Sequence, residues 1–162
     1  MTSNASKITL RFVQGSELSS QLIVALEKVA MPFTPSHVEC VTPDGFYLGS
    51  LYDGGVEERK PGYDAGKVKH ELFLDLPATP EQVKIFYDYM RGHIGEFYDW
   101  MAIPGFILPG HWHDKDHTIC SALIDMGLRT CKWFPFVLPV PAHETDPRDL
   151  LLMIGVKMQI PM

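Results

Sequence analysis

The chain has 162 residues, of which 46% are hydrophobic and 21% are charged, and its formal net charge is -6. This length fits a single domain spanning residues 1–162, which can bury a sizeable core without a disulfide framework or a structural metal. The acidic balance argues against a nucleic-acid partner, because phosphate contacts need a basic face, and no stretch approaches the roughly 20 apolar residues of an integral membrane span.

The first predicted elements are a strand and a helix. The segment "ITLRFVQ" (8–14) has the composition of a strand. Residues 16–30 favour a helix, because their leucines and other apolar side chains recur on one stripe. Residues 1–10 lack the sustained apolar run of a secretory signal. We therefore expect a protein that is cytoplasmic as synthesised.

Short strands separated by turn signals come next. Pro43-Asp44-Gly45 is a strong turn signal between two strand-like segments, which predicts a β-hairpin. Gly54-Gly55 marks a second turn. The predicted strands lie at 36–42, at 46–51, directly after Gly55, and at 68–76. Together they predict a mostly antiparallel sheet.

The first strand of this hairpin carries an unusual pair of polar residues. Side chains alternate along a strand, so His37 and Glu39 point to one face while Val38 and Cys40 point to the other. An imidazole then lies beside a carboxylate, which can accept a hydrogen bond from a ring nitrogen. A solvated edge strand would explain Glu39 equally well.

The second half of the chain is predicted to be helical. Thr79-Pro80-Glu81-Gln82 has the pattern of a capping box with proline at the first helical position. We expect this helix to end near Gly92 or Gly95. Its apolar stripe consists of Val83, Phe86, Tyr87, Met90 and Ile94.

A further short helix is predicted to begin between residues 116 and 118. Its apolar side consists of Ile119, Leu123 and Met126. Cys120 then lies in the first turn, where the exposed backbone amides and the helix dipole stabilise a thiolate. Since no cysteine belongs to a Cys-x-x-Cys motif, we expect Cys40 and Cys131 to be small buried hydrophobic residues.

A histidine on a strand and a cysteine at a helix N-terminus are two parts of a papain-like site. The imidazole accepts the thiol proton, and the thiolate attacks a carbonyl carbon. His37 precedes Cys120 in this chain, whereas the cysteine comes first in papain-type enzymes. The arrangement would therefore be a circular permutation, which the chemistry allows because it depends on geometry rather than on sequence order.

Four stretches in this order carry a family resemblance: "LIVALEKVAMPFTPSHVECVTPDGFYLGSLYDGGVEER", "GEFYDWMAIPGF", "HTICSALIDMGL" and "ETDPRDLL". Together they resemble the circularly permuted branch of the NlpC-type papain-like cysteine hydrolases, the YiiX/YebB-like group. Compact members of this sort are frequently encoded by bacteriophages and prophages. The resemblance covers most of the chain, from about Leu18 to Leu151. It implies an α+β papain-like fold, in which a mostly antiparallel sheet packs against helices.

The resemblance also implies catalytic residues and a class of substrate. It implies Cys120 as the nucleophile and His37 as the general base, with no cofactor and no metal. Many relatives supply the third, orienting residue from the strand after the histidine, where this chain reads "YLGSLYD". We predict Glu39 for this role because it shares the face of His37, with Ser50 and Asp53 as alternatives. The expected substrate is a peptide, a peptidoglycan fragment or an acyl compound, cleaved at an amide or ester bond.

Two details of the sequence bear on this resemblance: the first departs from the pattern of the relatives, and the second matches it. They commonly read Cys-Ser-Glu, whereas this chain has Cys120-Ser121-Ala122. Tyr98 and Asp99 match a Tyr-Asp element of the relatives and are candidates for lining the substrate cleft. Trp100, which follows them, is expected to serve in packing.

Two other functions stay open on the sequence alone. The segment "HWHDKDH" (111–117) offers histidine and aspartate ligands for a zinc ion that could activate water, although a solvated polar loop would read the same way. The alanine after Cys120-Ser121 allows instead a non-catalytic phage virion or assembly protein that keeps the fold. The oligomeric state is not predicted.

Overall fold

The computed structural model describes residues 6–16, 33–98, 117–135 and 140–159. Within these ranges the chain has an α+β fold, in which an antiparallel five-stranded sheet packs against helices. No helix in the same ranges is long and apolar enough to cross a membrane. The helix predicted at 16–30 lies almost entirely outside the described residues.

The sheet is built from strands that are neighbours in sequence, except for the pair at one end. Its order is β4-β3-β2-β1-β5. The strands are β1 (Lys7–Gly15), β2 (His37–Val41), β3 (Tyr47–Leu51), β4 (Gly55–Arg59) and β5 (Val68–Pro77). The predicted hairpin is confirmed as β2 and β3, and Gly45 in its turn has a φ of 85°, which favours glycine.

The central position of β2 decides one of the open questions. Because β2 lies between β1 and β3, it is not an edge strand. Glu39 on this strand has no solvent-exposed surface. The explanation of Glu39 as a residue of a solvated edge strand is therefore wrong.

Helix α1 (Pro80–Gly92) begins with the predicted capping box. Thr79 Oγ1 accepts a hydrogen bond from the Gln82 backbone N–H at 3.2 Å, and Gln82 Oε1 accepts one from the Thr79 N–H at 3.0 Å. The stripe is confirmed at Phe86 and Met90, which are buried. It is wrong at Ile94, which is 48% exposed because the helix has already ended.

Helix α2 (Cys120–Thr130) begins after the predicted start at 116–118. The helix begins later than predicted because His117–Thr118 forms a two-residue strand, β7, which pairs in parallel with β6 (Phe97–Tyr98). Cys120 nevertheless lies in the first turn, as predicted. Met126 is 44% exposed, so its assignment to the buried side of the helix is wrong.

The core lies between one face of the sheet and the helices. Helix α1 packs on α2, and α2 packs on β2 and β3. A short 3-10 helix (Ala142–Glu144) and helix α3 (Pro147–Met158) follow, and both contact α2. The sheet contributes Leu10, Phe12, Val38, Cys40 and Leu48 to this core, and the helices contribute Phe86, Met90, Leu123, Ile124, Leu128, Leu150 and Ile154.

Candidate active site

Cys120 is the first residue of α2, and the residue before it leaves the helix N-terminus uncapped. Ile119 is the N-cap, with an extended backbone and no side-chain hydrogen bond to the first turn. The first-turn N–H groups of a helix lack intrahelical partners, and an isoleucine side chain cannot satisfy them. The N–H of Ser121 hydrogen-bonds to the Cys120 sulfur, which favours the thiolate.

His37 is the first residue of β2, where its backbone position is tightly held. It pairs with Val13 of β1. The N–H of Ser36 donates to the carbonyl of Val13 at 2.8 Å, and Ser36 Oγ accepts from the N–H of Gly15 at 3.1 Å. The side chain of His37 is 12% exposed. The imidazole is thus presented from a rigid strand end.

The structure brings Cys120 and His37 into direct contact. Burial alone would raise the pKa of the Cys120 thiol, but the charge and hydrogen bond of His37, with the N–H groups of Val38 and Ser121, lower it. Burial alone would lower the pKa of His37, but Cys120 and then Glu39 outweigh it and raise that pKa to about 10. Both shifts favour a thiolate beside an imidazolium.

Glu39 lies next to His37 on the same face of β2. Its Oε2 is 3.5 Å from Nε2 of His37, within ion-pair distance. Nε2 makes no well-directed hydrogen bond within the described part of the chain. Glu39 also accepts hydrogen bonds from Arg11 Nη1 at 2.7 Å and from the Tyr63 hydroxyl at 3.1 Å. Burial would raise the pKa of Glu39, but His37 and Arg11 lower it, so the carboxylate stays ionised.

The two alternative orienting residues are placed differently. Ser50 is fully buried and shares its side of β3 with Leu48, which faces the apolar core. Asp53 is exposed and lines the same pocket as His37. Of the three candidates, Glu39 is the residue whose carboxylate the structure places close to the imidazole, at 3.5 Å.

A pocket of about 100 Å³ opens beside His37 at the end of the sheet. Its walls come from the ends of β1 and β3, the start of β2, and the loop before β5. The described lining residues are Val13, Gly15, Ser36, His37, Leu51, Tyr52, Asp53, Tyr63, Asp64, Lys67 and Val68. His37 therefore lines a pocket at this end of the sheet, whose described lining does not include Cys120.

Ala122 occupies a small apolar cluster next to the nucleophile. It is 5% exposed and packs with Ile119, and the half-buried Tyr98 packs against both. A glutamate at position 122 would place a carboxylate in this apolar contact. Tyr98 thus packs beside the cysteine helix, whereas Asp99 and Trp100 lie outside the described residues.

The remaining cysteines have environments unlike that of Cys120. Cys40 is fully buried in the core, where burial raises the pKa of its thiol. Cys131 is 3% exposed, and burial likewise raises its pKa. Both are the small buried hydrophobic residues that the sequence predicts.

No metal-binding arrangement is present in the described ranges, where no three histidine, cysteine or carboxylate side chains cluster suitably. The candidate zinc ligands of "HWHDKDH" at 111–116 lie outside those ranges. Zinc-dependent hydrolysis therefore stays a prediction of the sequence.

Sequence reasoning missed the residues that surround Glu39. Arg11 is 3% exposed and contacts Glu39 directly, and Tyr63 and Asp64 reach the same cluster from the loop before β5. One signal was available, since Arg11 lies in the middle of a strand, between Leu10 and Phe12, and a buried charge requires a partner. The sequence does not reveal which carboxylate that partner is.

Comparison with known proteins adds no assignment. The chain matches no known family model, and no curated protein matches it. The resemblance to permuted NlpC-type hydrolases therefore rests on the four sequence stretches alone. The geometry around Cys120 provides the basis for a functional assignment.

Proposed function

We propose that this protein is a cysteine hydrolase with a permuted NlpC-type papain-like fold, which cleaves an amide or ester bond through a thioester on Cys120. The observation that supports this most strongly is the contact between Cys120, at the uncapped start of α2, and His37, at the start of β2. Each group shifts the pKa of the other towards the charged form. A purely structural cysteine needs no such partner.

In the proposed acylation step, the Cys120 thiolate attacks the carbonyl carbon of the substrate and forms a carbon–sulfur bond. The negative charge moves to the carbonyl oxygen of a tetrahedral intermediate. When this intermediate collapses, the carbon–nitrogen or carbon–oxygen bond breaks, and the His37 imidazolium gives its proton to the leaving group. The acyl group remains on sulfur as a thioester.

In the deacylation step, the now neutral His37 takes a proton from water, and the resulting nucleophile attacks the thioester. The carbon–sulfur bond breaks, and the thiolate–imidazolium pair is restored. Glu39 would orient the imidazole in both steps, because its Oε2 faces Nε2 at 3.5 Å. A peptide of the bacterial cell wall is the leading substrate proposal, with an acyl ester as the alternative.

An activated ester tests this proposal without knowledge of the natural substrate. On mixing with p-nitrophenyl acetate, the protein should release a burst of nitrophenolate and carry an acetyl group on the Cys120 peptide. Cys120→Ala should remove both signals, and Cys40→Ala is the matched control that should keep them. Acetylation that is equal on all cysteines, or that survives Cys120→Ala, would contradict the proposal.

A second candidate is a non-catalytic phage virion or assembly protein with the same fold. It is favoured by the burial of Cys120, whose residue surface is only 4% exposed, and by the apolar packing of Ala122. This candidate predicts no burst and no acetylated Cys120 in the same experiment. It also predicts a stoichiometric place for the protein in particles.

A further inference from the structure

Arg11 is an almost fully buried cation on the face of the sheet that carries Glu39. It pairs directly with Glu39 in the register of β1 and β2, and it is 3% exposed. Its guanidinium contacts Glu39 Oε1 at 2.7 Å, Asp64 Oδ2 at 2.9 Å and Glu71 Oε2 at 2.8 Å. These three carboxylates come from β2, from the loop before β5, and from β5 itself. One planar fork thus joins three parts of the chain, which a lysine cannot do in the same geometry.

The charge balance around Arg11 is negative. One guanidinium faces three carboxylates, although the side chain of Glu71 is 42% exposed and therefore partly screened by solvent. Neutralising Arg11 alone would need a single carboxylate. Of these three carboxylates, Glu39 lies next to His37 and favours its imidazolium form.

The contacts of Arg11 also leave the two oxygens of Glu39 with different partners. Oε1 is held by Arg11, so that Oε2 is left to face Tyr63 at 3.1 Å and His37 at 3.5 Å. Gly49 on β3 provides the space for this arrangement, because a Cβ there would lie 2.8 Å from the Cβ of Glu39. The carboxylate is thereby held at both oxygens, by Arg11 at Oε1 and by Tyr63 at Oε2.

We propose that Arg11 is a positioning residue of this site: it keeps Glu39 ionised and turned towards His37, which stabilises the imidazolium and so the Cys120 thiolate. This inference rests on the proposed function, because it requires Cys120 to be the nucleophile. Arg11 itself acts through Glu39. The other charged or titratable groups that line the pocket at His37 are Tyr52, Asp53, Tyr63, Asp64 and Lys67.

The test measures the rate of Cys120 alkylation by iodoacetamide as a function of pH, with the labelled peptide identified by mass. The midpoint of this profile reports the thiolate, which a merely structural arginine would not move. Arg11→Met should raise the midpoint, and a midpoint that is higher by about one pH unit slows labelling at a fixed, lower pH about tenfold. Arg11→Lys keeps the charge but loses the fork, and should raise the midpoint by less.

Arg59 provides the matched control. It is also nearly buried, at 8% exposure, and belongs to the same sheet, but it donates to the backbone carbonyls of Gly49 and Gly55, each at 3.1 Å. Its carboxylate partner is Glu57, at 2.8 Å, and its guanidinium lies over the ring of Tyr63. Arg59→Met should therefore lower the free energy of unfolding without moving the alkylation midpoint. If Arg11→Met does not fold, the folded Arg11→Lys protein provides the comparison.

A double-mutant cycle tests whether Arg11 acts through Glu39. Glu39→Gln should itself raise the midpoint, and adding Arg11→Met to Glu39→Gln should change the labelling rate by less than about twofold. A full effect of Arg11→Met in the Glu39→Gln background would overturn the inference, as would an unchanged midpoint in the folded Arg11 variants. If the wild-type midpoint already equals that of an ordinary cysteine, near about 8.5, the proposed function fails and the inference fails with it.

Discussion

The two faces of strand β2 bury opposite kinds of side chain. On the face towards the helices, Val38 and Cys40 pack in an apolar core. On the other face, Glu39 is equally inaccessible to solvent but contacts Arg11 and approaches His37. Burial is thus the same on both faces, while the partners differ. The partners of a buried residue, rather than its exposure, therefore decide whether it can do chemistry.

Cys40 and Cys120 show the effect of different partners on the same functional group, a buried thiol. Their exposures are 0% and 4%. Burial acts on both thiols in the same direction, and in Cys40 it raises the pKa. In Cys120 the charge of His37 and two backbone N–H groups reverse the outcome and lower the pKa. The reversal is what distinguishes a potential nucleophile from a core residue.

The largest expected effect is on activity, and it separates these two cysteines. Cys120→Ala should lower the rate of ester hydrolysis at least about 10⁴-fold, because the thioester can no longer form. Cys40→Ala should leave the rate nearly unchanged and lower the free energy of unfolding through lost packing. Steady-state kinetics and urea unfolding of the two variants check this pair. Comparable activity losses in both variants would remove the distinction.

The next largest effect concerns the apolar face. Phe12 has no exposed surface and packs in the core opposite Val38. Phe12→Ala should lower the free energy of unfolding by about 3–5 kcal/mol, through lost transfer energy and the cavity left behind. Urea denaturation followed by circular dichroism gives this value. A loss well under this range would mean that the face is loosely packed.

A smaller effect is expected on the charged face, at Gly49. Adding a Cβ there would bring it to 2.8 Å from the Cβ of Glu39, so Gly49→Ala must displace one of the two strands or the carboxylate. We expect a loss of about 1–3 kcal/mol in the free energy of unfolding, as for other overpacked sites. Gly92→Ala is the control, because a Cβ at Gly92 meets no other atom within 4 Å and its backbone φ is not in the left-handed region. If Gly49→Ala costs less than this control, the close packing around Glu39 is not as described.

The smallest effect is on the pH dependence of stability. The pKa of His37 is raised from 6.5 to about 10, so its contribution is complete below pH 6.5 and is lost as the pH rises through about 10. The pKa of Cys120 is lowered from 9.0, so its contribution is complete above pH 9.0 and is lost as the pH falls through the lowered value. Below pH 9.0, over the range in which both groups titrate, the two slopes cancel and give a plateau, and above pH 9.0 the decline from His37 remains.

Removal of the pair tests this plateau. The double variant His37→Ala with Cys120→Ala should lack this component, so the difference in free energy of unfolding between it and the wild type should decline as the pH rises above 9.0. Unfolding in urea across the pH range measures that difference. A difference that keeps increasing above pH 9.0 would contradict the raised pKa of His37.

Much of the local structure was predictable because its signals lie close together in sequence. The turn at Pro43-Asp44-Gly45 and the capping box at Thr79 each involve a few neighbouring residues, and both are confirmed. The alternation of β2 likewise placed His37 and Glu39 on one face. Helix α1 ends at Gly92, one of the two predicted positions, but its predicted stripe is wrong at Ile94, because an apolar residue beyond the end of a helix still fits the stripe.

The surroundings of Glu39 could not be predicted because they depend on long-range pairing. Arg11 reaches Glu39 only through the register of β1 and β2, and reaches Glu71 through the register of β1 and β5. Tyr63 lies in the loop before β5 and donates its hydroxyl hydrogen bond to Glu39 from there. The apolar alternation excludes a shift by one residue, which would exchange the two faces of a strand, but a shift by two residues keeps the alternation, so the pattern alone does not choose the register.

Selective alkylation of the folded protein tests the central claim most directly. After brief iodoacetamide treatment at about pH 7, Cys120 should be labelled first, while Cys40 and Cys131 remain unmodified, because an ordinary cysteine is mostly protonated there. His37→Ala should slow the labelling of Cys120 by removing the positive partner. If Cys131 is labelled fastest and Cys120 does not react, the assignment of the nucleophile is wrong, and a non-catalytic protein with this fold is the better account.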